Sequence, residues 1–269
     1  MRCAVIGDPA EHSLSPAIHR AGYEANHLDW TYEAVDVTAG ELDGFVRERL
    51  ADSQWAGLSV TAPHKEAILA YGEVDEPSQL VGGGNTLVMG DHPRVHNTDV
   101  PGFALAWRLH TDLVPRRAAI VGAGATARSI LLALAGLGTR ELTVLVRDPD
   151  RAASLVDLAR ALDVATHVQV LADDLERVDL LASTVPAAAT TGHARRWVAN
   201  AGAVFDVVYD PWPTPLGTAA QDAGLLDLNG LDLLAGQAVD QFFLLTGRRV
   251  TFEACRSAAG RELGRRQGL

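Results

Sequence analysis

The segment AAIVGAGATARSILLALAGLG, residues 118–138, constrains the fold of this chain more than any other. A short apolar run, Ala118–Val121, meets two glycines, Gly122 and Gly124, and then a stretch with helical spacing, Ala127–Leu137. Gly122, Gly124 and Ala127 form G-x-G-x-x-A between a strand and a helix. In that setting the first glycine permits a tight turn, and the second lets backbone approach a pyrophosphate. The small third residue lets helix pack on strand. Backbone N–H groups at a helix start then face phosphate oxygens. Gly122, Ala123, Gly124, Ala125, Thr126 and Ala127 are therefore expected to cradle a dinucleotide.

The following strand bears on which dinucleotide. A site for NAD usually ends that strand with an acid bonded to the ribose 2′-hydroxyl. Here the strand ends at Val146 and Arg147 follows, with Arg151 one turn later. Arginine suits bidentate phosphate binding, so NADP(H) is expected and NAD is disfavoured. Asp148 opposes this if its carboxylate turns inward.

Beyond Pro115 apolar runs and helical patterns alternate strictly. Strands are expected at Ala118–Val121, Leu142–Val146, Val168–Leu171, Leu180–Thr184, Ala203–Val208 and Leu225–Leu228. Such alternation gives a parallel sheet with helices on both faces. The first hundred residues are a different α/β unit. Strands are expected at Cys3–Ile6, Thr31–Val37 and Gly57–Val60, then a hairpin of Asn85–Met89 with Arg94–His96. Helices are expected over Pro16–Asn26, Glu41–Leu50, from about Lys65, and over Asp99–His110. Two last helices, near Leu234–Leu245 and Glu253–Gln267, have no strand after them.

Composition bounds the partners. The 269 residues carry a net charge of −11, with 48% hydrophobic and 21% charged. That suits a globular chain with a real core and argues against nucleic acid or an anionic membrane as partner. No apolar stretch reaches the roughly 20 residues that span a bilayer, and no secretory signal is visible. Two cysteines, Cys3 and Cys255, make no disulfide framework, which points to a reducing compartment, the cytoplasm. The nine histidines form no H-E-x-x-H and have no cysteine partners, so no metal site is expected.

Three polar clusters stand out in the first unit. GDPAEHSLSPAIH holds Ser13 and Ser15, which point the same way if that segment is extended. GLSVTAPHKEA places Thr61 at a strand end and Lys65 at an expected helix start, where a cation opposes the helix dipole. GGGNTL and HNTDVPGF supply Asn85, Thr86, Asn97, Thr98 and Asp99. Singly, Asp99 reads as a helix cap and Asn85 as a turn residue. His12 and His64 read as rim or structural residues, Trp212 as packing, Met89 and Phe242-Phe243 as core. Asp173-Asp174-Leu175-Glu176 reads as a solvated helix start.

Together and in this order the clusters resemble the shikimate dehydrogenase family. G-x-P-x-x-H-S-x-S-P is matched by Gly7 to Pro16, and V-T-x-P-x-K by Val60, Thr61, Pro63 and Lys65. N-T-L is matched at Asn85–Leu87, and N-T-D-x-x-G at Asn97–Gly102. Y-x-P-x-x-T-P-L resembles Tyr209–Leu216, and a late G-L-x-x-L-x-x-Q-A resembles Gly230–Ala238 with Gln237. The likeness spans nearly the whole chain. NADP-using relatives often read N-R-T-x-x-R where this chain has Val146-Arg147-Asp148-Pro149-Asp150-Arg151. Both arginines are kept, and Asp148 replaces a hydroxyl residue.

The resemblance implies an N-terminal α/β substrate domain and a Rossmann-type doubly wound domain with a cleft between them. Residues 1–101 and 232–269 would form the first and 102–231 the second. It implies reversible NADPH-dependent reduction of 3-dehydroshikimate to shikimate in chorismate and aromatic amino-acid biosynthesis. Ser13 and Ser15 would bind the substrate carboxylate, with Tyr209 nearby. Thr61, Asn85, Asp99 and Gln237 would bind ring hydroxyls, and Lys65 and Asp99 would be the catalytic pair. Hydride reaching a ketone builds charge on oxygen, which an ammonium stabilises as proton donor or as electrostatic clamp. Two alternatives remain open: a quinate or aminoshikimate dehydrogenase with NAD preference, and a nucleotide-sensing protein without turnover. As assemblies, a monomer and a homodimer are both compatible with the sequence.

Overall fold

The computed structural model describes residues 1–171 and 174–268. It divides into two units, one formed by Met1–Ala106 with the chain from Leu234 onward, the other by Trp107–Leu233. The chain thus changes unit within two helices, rather than at 101/102 and 231/232, because neither helix is interrupted where the folds part.

The first unit begins with β1 (Arg2–Gly7), α1 (Ser15–Ala25), β2 (Thr31–Asp36), α2 (Leu42–Leu50) and β3 (Trp55–Val60). It continues with β4 (Glu73–Val74), α3 (Glu76–Val81), β5 (Thr86–Val88), β6 (Arg94–His96) and α4 (Asp99–His110). Its sheet runs β2-β1-β3-β5-β6-β4. The β2-β1-β3 part is parallel, while β5 pairs antiparallel with both β3 and β6. β1 is buried along nearly its whole length, and its alternate residues feed two cores. Ala4 and Ile6 pack with Val46, Leu58, Val60 and Leu87. Cys3 and Val5 pack with Tyr23, Tyr32, Phe242 and Leu245. The segment from Lys65 is not an α-helix: a short 3-10 helix, Ala67–Tyr71, follows Lys65. The two-residue strand β4 is too short to leave a periodic signal.

The second unit contains β7 (Arg117–Val121), α5 (Ala125–Leu137), β8 (Glu141–Val146), α6 (Ala153–Ala161) and β9 (Ala165–Val170). β10 (Leu180–Ser183), α7 (Ala194–Val198), β11 (Ala203–Asp206), α8 (Pro215–Asp222) and β12 (Leu226–Asn229) follow. The sheet order is β12-β11-β10-β7-β8-β9 with every pair parallel. In order of appearance this is 3-2-1-4-5-6, the doubly wound dinucleotide-binding order, with its switch point between β7 and β10. Central strands β10 and β11 are buried throughout, as helices on both faces of a parallel sheet require. The expected helix start at residues 173–176 does not form: Asp174, Leu175 and Glu176 are irregular, and Asp173 lies outside the described residues.

α9 (Gly230–Thr246) and α10 (Phe252–Gln267) close the chain, and from Leu234 they belong to the first unit. Phe242 is fully buried there, which stabilises the unit by about 1.5–3 kcal/mol. Phe243, expected in the core, is 43% exposed, because neighbours on a helix point to different faces.

Candidate active site

Four elements of the first unit deliver side chains to one place. The turn after β3 carries Lys65, the start of β5 follows Asn85, α4 begins with Asp99, and α9 carries Gln237. Lys65 Nζ donates to Asp99 Oδ2 at 2.6 Å. The Lys65 side chain is 15% exposed and that of Asp99 only 2%. Asn85 Nδ2 donates to Asp99 Oδ1 at 2.9 Å and to Gln237 Oε1 at 2.8 Å. The other end of the Asn85 amide is filled too: its Oδ1 accepts from Thr98 N, Thr98 Oγ1 and Thr86 Oγ1. Asn85 is therefore a buried hub and not a turn residue.

Asp99 is not the cap of α4. Asn97 Oδ1 accepts the N–H groups of Asp99 and Val100, while Asn97 Nδ2 donates to Gly83 O at 2.8 Å. Capping by Asn97 leaves both Asp99 oxygens for Lys65 and Asn85. Lys65 does not open an α-helix, contrary to the expectation from sequence. It sits in the turn before Ala67–Tyr71, and its carbonyl accepts the N–H of Gly84 at 2.7 Å. His64 is buried and its Nε2 donates to Val37 O at 2.6 Å, so it pins that turn from behind. Thr61 follows β3 directly and bonds through its N–H to Ile6 O.

Ser13 and Ser15 are not in an extended segment. Ser15 is the first residue of α1, and Leu14 before it is in the right-handed helical region. Ser13 Oγ accepts Ser15 N–H at 3.2 Å, a local turn that competes with extension. That bond uses a lone pair of Ser13 and leaves its hydroxyl hydrogen to be donated. The first turn of α1 holds no acid, so its dipole favours an anion at this end.

A second buried polar chain backs this wall. Gln241 Nε2 donates to Asn85 O and Thr86 Oγ1, and its Oε1 accepts from His19 Nε2 at 3.1 Å. The His19 ring stacks on Tyr32 at 4.2 Å, and the Tyr32 hydroxyl bonds Ser59. Burial pulls the His19 ring from 6.5 down to about 4, although its bond to Gln241 acts the other way. Sequence reasoning missed Gln241 and His19. The only available signal was Gln241 lying one helical turn beyond Gln237.

In the second unit, the turn after β7 has the form its motif requires. Gly122 has φ +103°, and a Cβ there would stand 2.5 Å from Thr184 Oγ1 across the β7/β10 switch point. Gly124 precedes α5 in extended conformation, with no side chain capping the helix and open space where a Cβ would be. Ala127 is fully buried, as close helix–strand packing demands. The remaining loop residues, Ala123, Ala125 and Thr126, are partly exposed. An uncapped helix start behind an open glycine fits a pyrophosphate. Arg147 and Arg151 are exposed just past β8. Asp148 instead caps the short 3-10 helix Pro149–Ala152, its Oδ1 accepting Asp150 N–H at 3.1 Å. Tyr209 follows β11, its ring against Gly230. Thr214, in the same motif, caps α8 and donates to Asp206 Oδ2 at 2.8 Å. Among the described residues no cluster of His, Cys, Asp or Glu could hold a metal ion, and no helix is long and apolar enough to cross a membrane.

A buried amine–carboxylate pair, together with a doubly wound unit carrying a phosphate-ready loop, defines a dinucleotide-dependent oxidoreductase. Residues 5–87 match the family model described as the shikimate dehydrogenase substrate binding domain, and residues 104–202 match shikimate/quinate 5-dehydrogenase. The chain belongs to the shikimate dehydrogenase family. It is 35% identical to the shikimate dehydrogenase (NADP(+)) of Methanopyrus kandleri, covering 94% of this chain and 93% of that one. Among solved structures, the Mycobacterium tuberculosis shikimate dehydrogenase superposes with a TM-score of 0.86 at 37% identity, covering 97% of this chain and 99% of that one. The Thermus thermophilus shikimate 5-dehydrogenase, solved with shikimate, gives a TM-score of 0.84 at 30% identity, covering 98% and 99%.

Proposed function

We propose that this protein catalyses the reversible NADPH-dependent reduction of 3-dehydroshikimate to shikimate, a step toward chorismate and the aromatic amino acids. The observation that carries this reading is the 2.6 Å contact of Lys65 with Asp99, tied through Asn85 to Gln237.

The Gly122–Ala127 loop would hold NADPH, with Arg147 and Arg151 as the cations for its 2′-phosphate, and the cofactor would supply a hydride. The protein's residues do the rest. An ammonium has three donor hydrogens, and the bond to Asp99 uses one of them. Lys65 stabilises the charge that develops on the substrate oxygen and is the group placed to supply its proton. Asp99, itself held by Asn85, fixes the amine in position. Gln237 and Thr61 read the ring hydroxyls; Asn85, whose amide is filled by Asp99, Gln237, Thr98 and Thr86, joins them only by exchanging its bond to Gln237 for one to the substrate. Ser13 and Ser15 hold the carboxylate, and Tyr209 keeps the substrate role its motif implies. Cys3 and Cys255 are unpaired and buried, which supports a reducing cytoplasm as its place of action. In this reading the protein acts as a monomer or a homodimer.

Initial rates on shikimate and quinate, each with NADP and with NAD, test the proposal. Fastest oxidation of shikimate with NADP is expected. Preferential oxidation of quinate with NAD would assign the protein a different substrate, and binding of NADPH without turnover of any cyclohexene acid would make it a sensor.

A further inference from the structure

The substrate role proposed for Ser13 and Ser15 asks what holds their loop, since a subsite is only as good as the geometry behind it. The answer comes from the far end of the chain. Arg266, in the last turn of α10, donates through Nη1 to His12 O at 2.9 Å and through Nη2 to Ser13 O at 3.1 Å. Its Nε donates to Glu262 Oε1 at 2.9 Å. Glu262 also takes a two-point bond from Arg265, at 2.9 and 2.8 Å. The two guanidinium groups push the Glu262 carboxyl down to about 2. The two guanidinium groups thus share one carboxylate, and Arg266 alone of them reaches the serine loop.

Two features make the arrangement specific. A planar guanidinium presents its donors in a fixed fork that meets two successive carbonyls and a carboxylate together, a geometry that an ammonium on a flexible stem does not fix. The carbonyl it grips at Ser13 belongs to the same residue whose Oγ accepts Ser15 N–H, so the grip bears on the turn that carries both hydroxyls. We propose that Arg266 is a positioning residue for the substrate's carboxylate, holding the Ser13–Ser15 turn so that its hydroxyls meet that carboxylate. This inference rests on the reading of Ser13 and Ser15 as the carboxylate subsite.

The test compares wild type, Arg266→Ala and Arg266→Lys on shikimate and on its uncharged methyl ester, with thermal unfolding measured in parallel. Arg266→Ala is expected to raise KM for shikimate about tenfold, the scale of one hydrogen bond to a charged group. Turnover at saturation should stay within about twofold, the signature of lost uniform binding, and KM for NADP should not move. The penalty should be much smaller for the ester, and Arg266→Lys should recover only part of the loss. If the alanine variant does not fold, Arg266→Gln, which keeps a polar head without the charge, carries the same readouts. An unchanged KM, or an equal loss for acid and ester, overturns the inference while the functional reading stands. A wild-type protein inactive on shikimate overturns that reading and this inference with it.

Discussion

Gly102 of α4 and Gly236 of α9 meet backbone to backbone. A Cβ on Gly102 would stand 2.7 Å from the Cα of Gln237, and one on Gly236 would stand 2.8 Å from the carbonyl carbon of Gly102. That approach lets Gln237 reach Asn85, and so Asp99, from a helix far away in sequence. Gly102→Ala must therefore push the helices apart. Overpacking of this kind costs about 1–3 kcal/mol. The variant should show a lower denaturation midpoint together with a raised KM for shikimate. A variant with wild-type midpoint and KM would show that the crossing tolerates the extra carbon.

How much of this was legible in the sequence depended on distance along the chain. The Gly122–Ala127 loop was readable because strand, turn and helix are consecutive, and all six strands of its sheet overlap the segments that alternation marked, with β9 starting three residues earlier. Lys65 and Asp99 were nameable from motif order, but their contact was not, since nothing local records the fold that joins them. Asn85 looked like a turn residue because its partners Thr98, Asp99 and Gln237 lie 13, 14 and 152 residues away. Gln241 and Arg266 were invisible for the same reason, each acting on residues more than 150 positions earlier. The serine pair was misread because a hydroxyl-to-backbone bond two residues on makes a turn where alternation suggested extension.

Lys65→Ala should lower turnover by about 10²-fold or more, the scale of a positioned acid–base group. Substrate affinity should change little, because the carboxylate and ring hydroxyls keep their other proposed contacts. Asp99 Oδ1 keeps its bond to Asn85, so the wall should persist. Steady-state rates and a direct titration of shikimate binding check both halves. Near-normal turnover would remove Lys65 from the mechanism.

His19 gives a pH dependence of stability with a definite sign. Its ring is neutral in the native state, with a pKa of about 4 against 6.5 for the free side chain. The unfolded chain therefore binds the extra proton first, and stability is fully present above 6.5 and lost as pH falls toward 4. The full loss is about 3 kcal/mol. Asp206 acts oppositely: burial raises it from 3.8 to about 6, so its contribution is present at low pH and lost as pH rises through that range. Urea unfolding of wild type and His19→Gln between pH 7.5 and 4.5 separates the two. The difference between the proteins should shrink as pH falls, and a constant difference would mean that His19 titrates normally.

Cofactor choice should rest on Arg147 and Arg151 and be nearly indifferent to Asp148. The Asp148 carboxylate is engaged by the N–H of Asp150, so it serves the turn that presents the arginines and does not have to face a 2′-phosphate. Each guanidinium–phosphate bond is charge-assisted, and losing one costs about 1.5–3 kcal/mol, roughly tenfold or more in affinity. Arg147→Ala should therefore raise KM for NADP at least about tenfold and leave the weaker rate with NAD almost unchanged. Arg151→Ala should act in the same direction, and the double variant should lose most of the preference. Asp148→Ser, which keeps a capping hydroxyl and removes the negative charge, should improve NADP binding only slightly, because the carboxylate was already turned to the backbone. A large gain from that substitution would mean that the acid does face the phosphate and that the arginines overcome it.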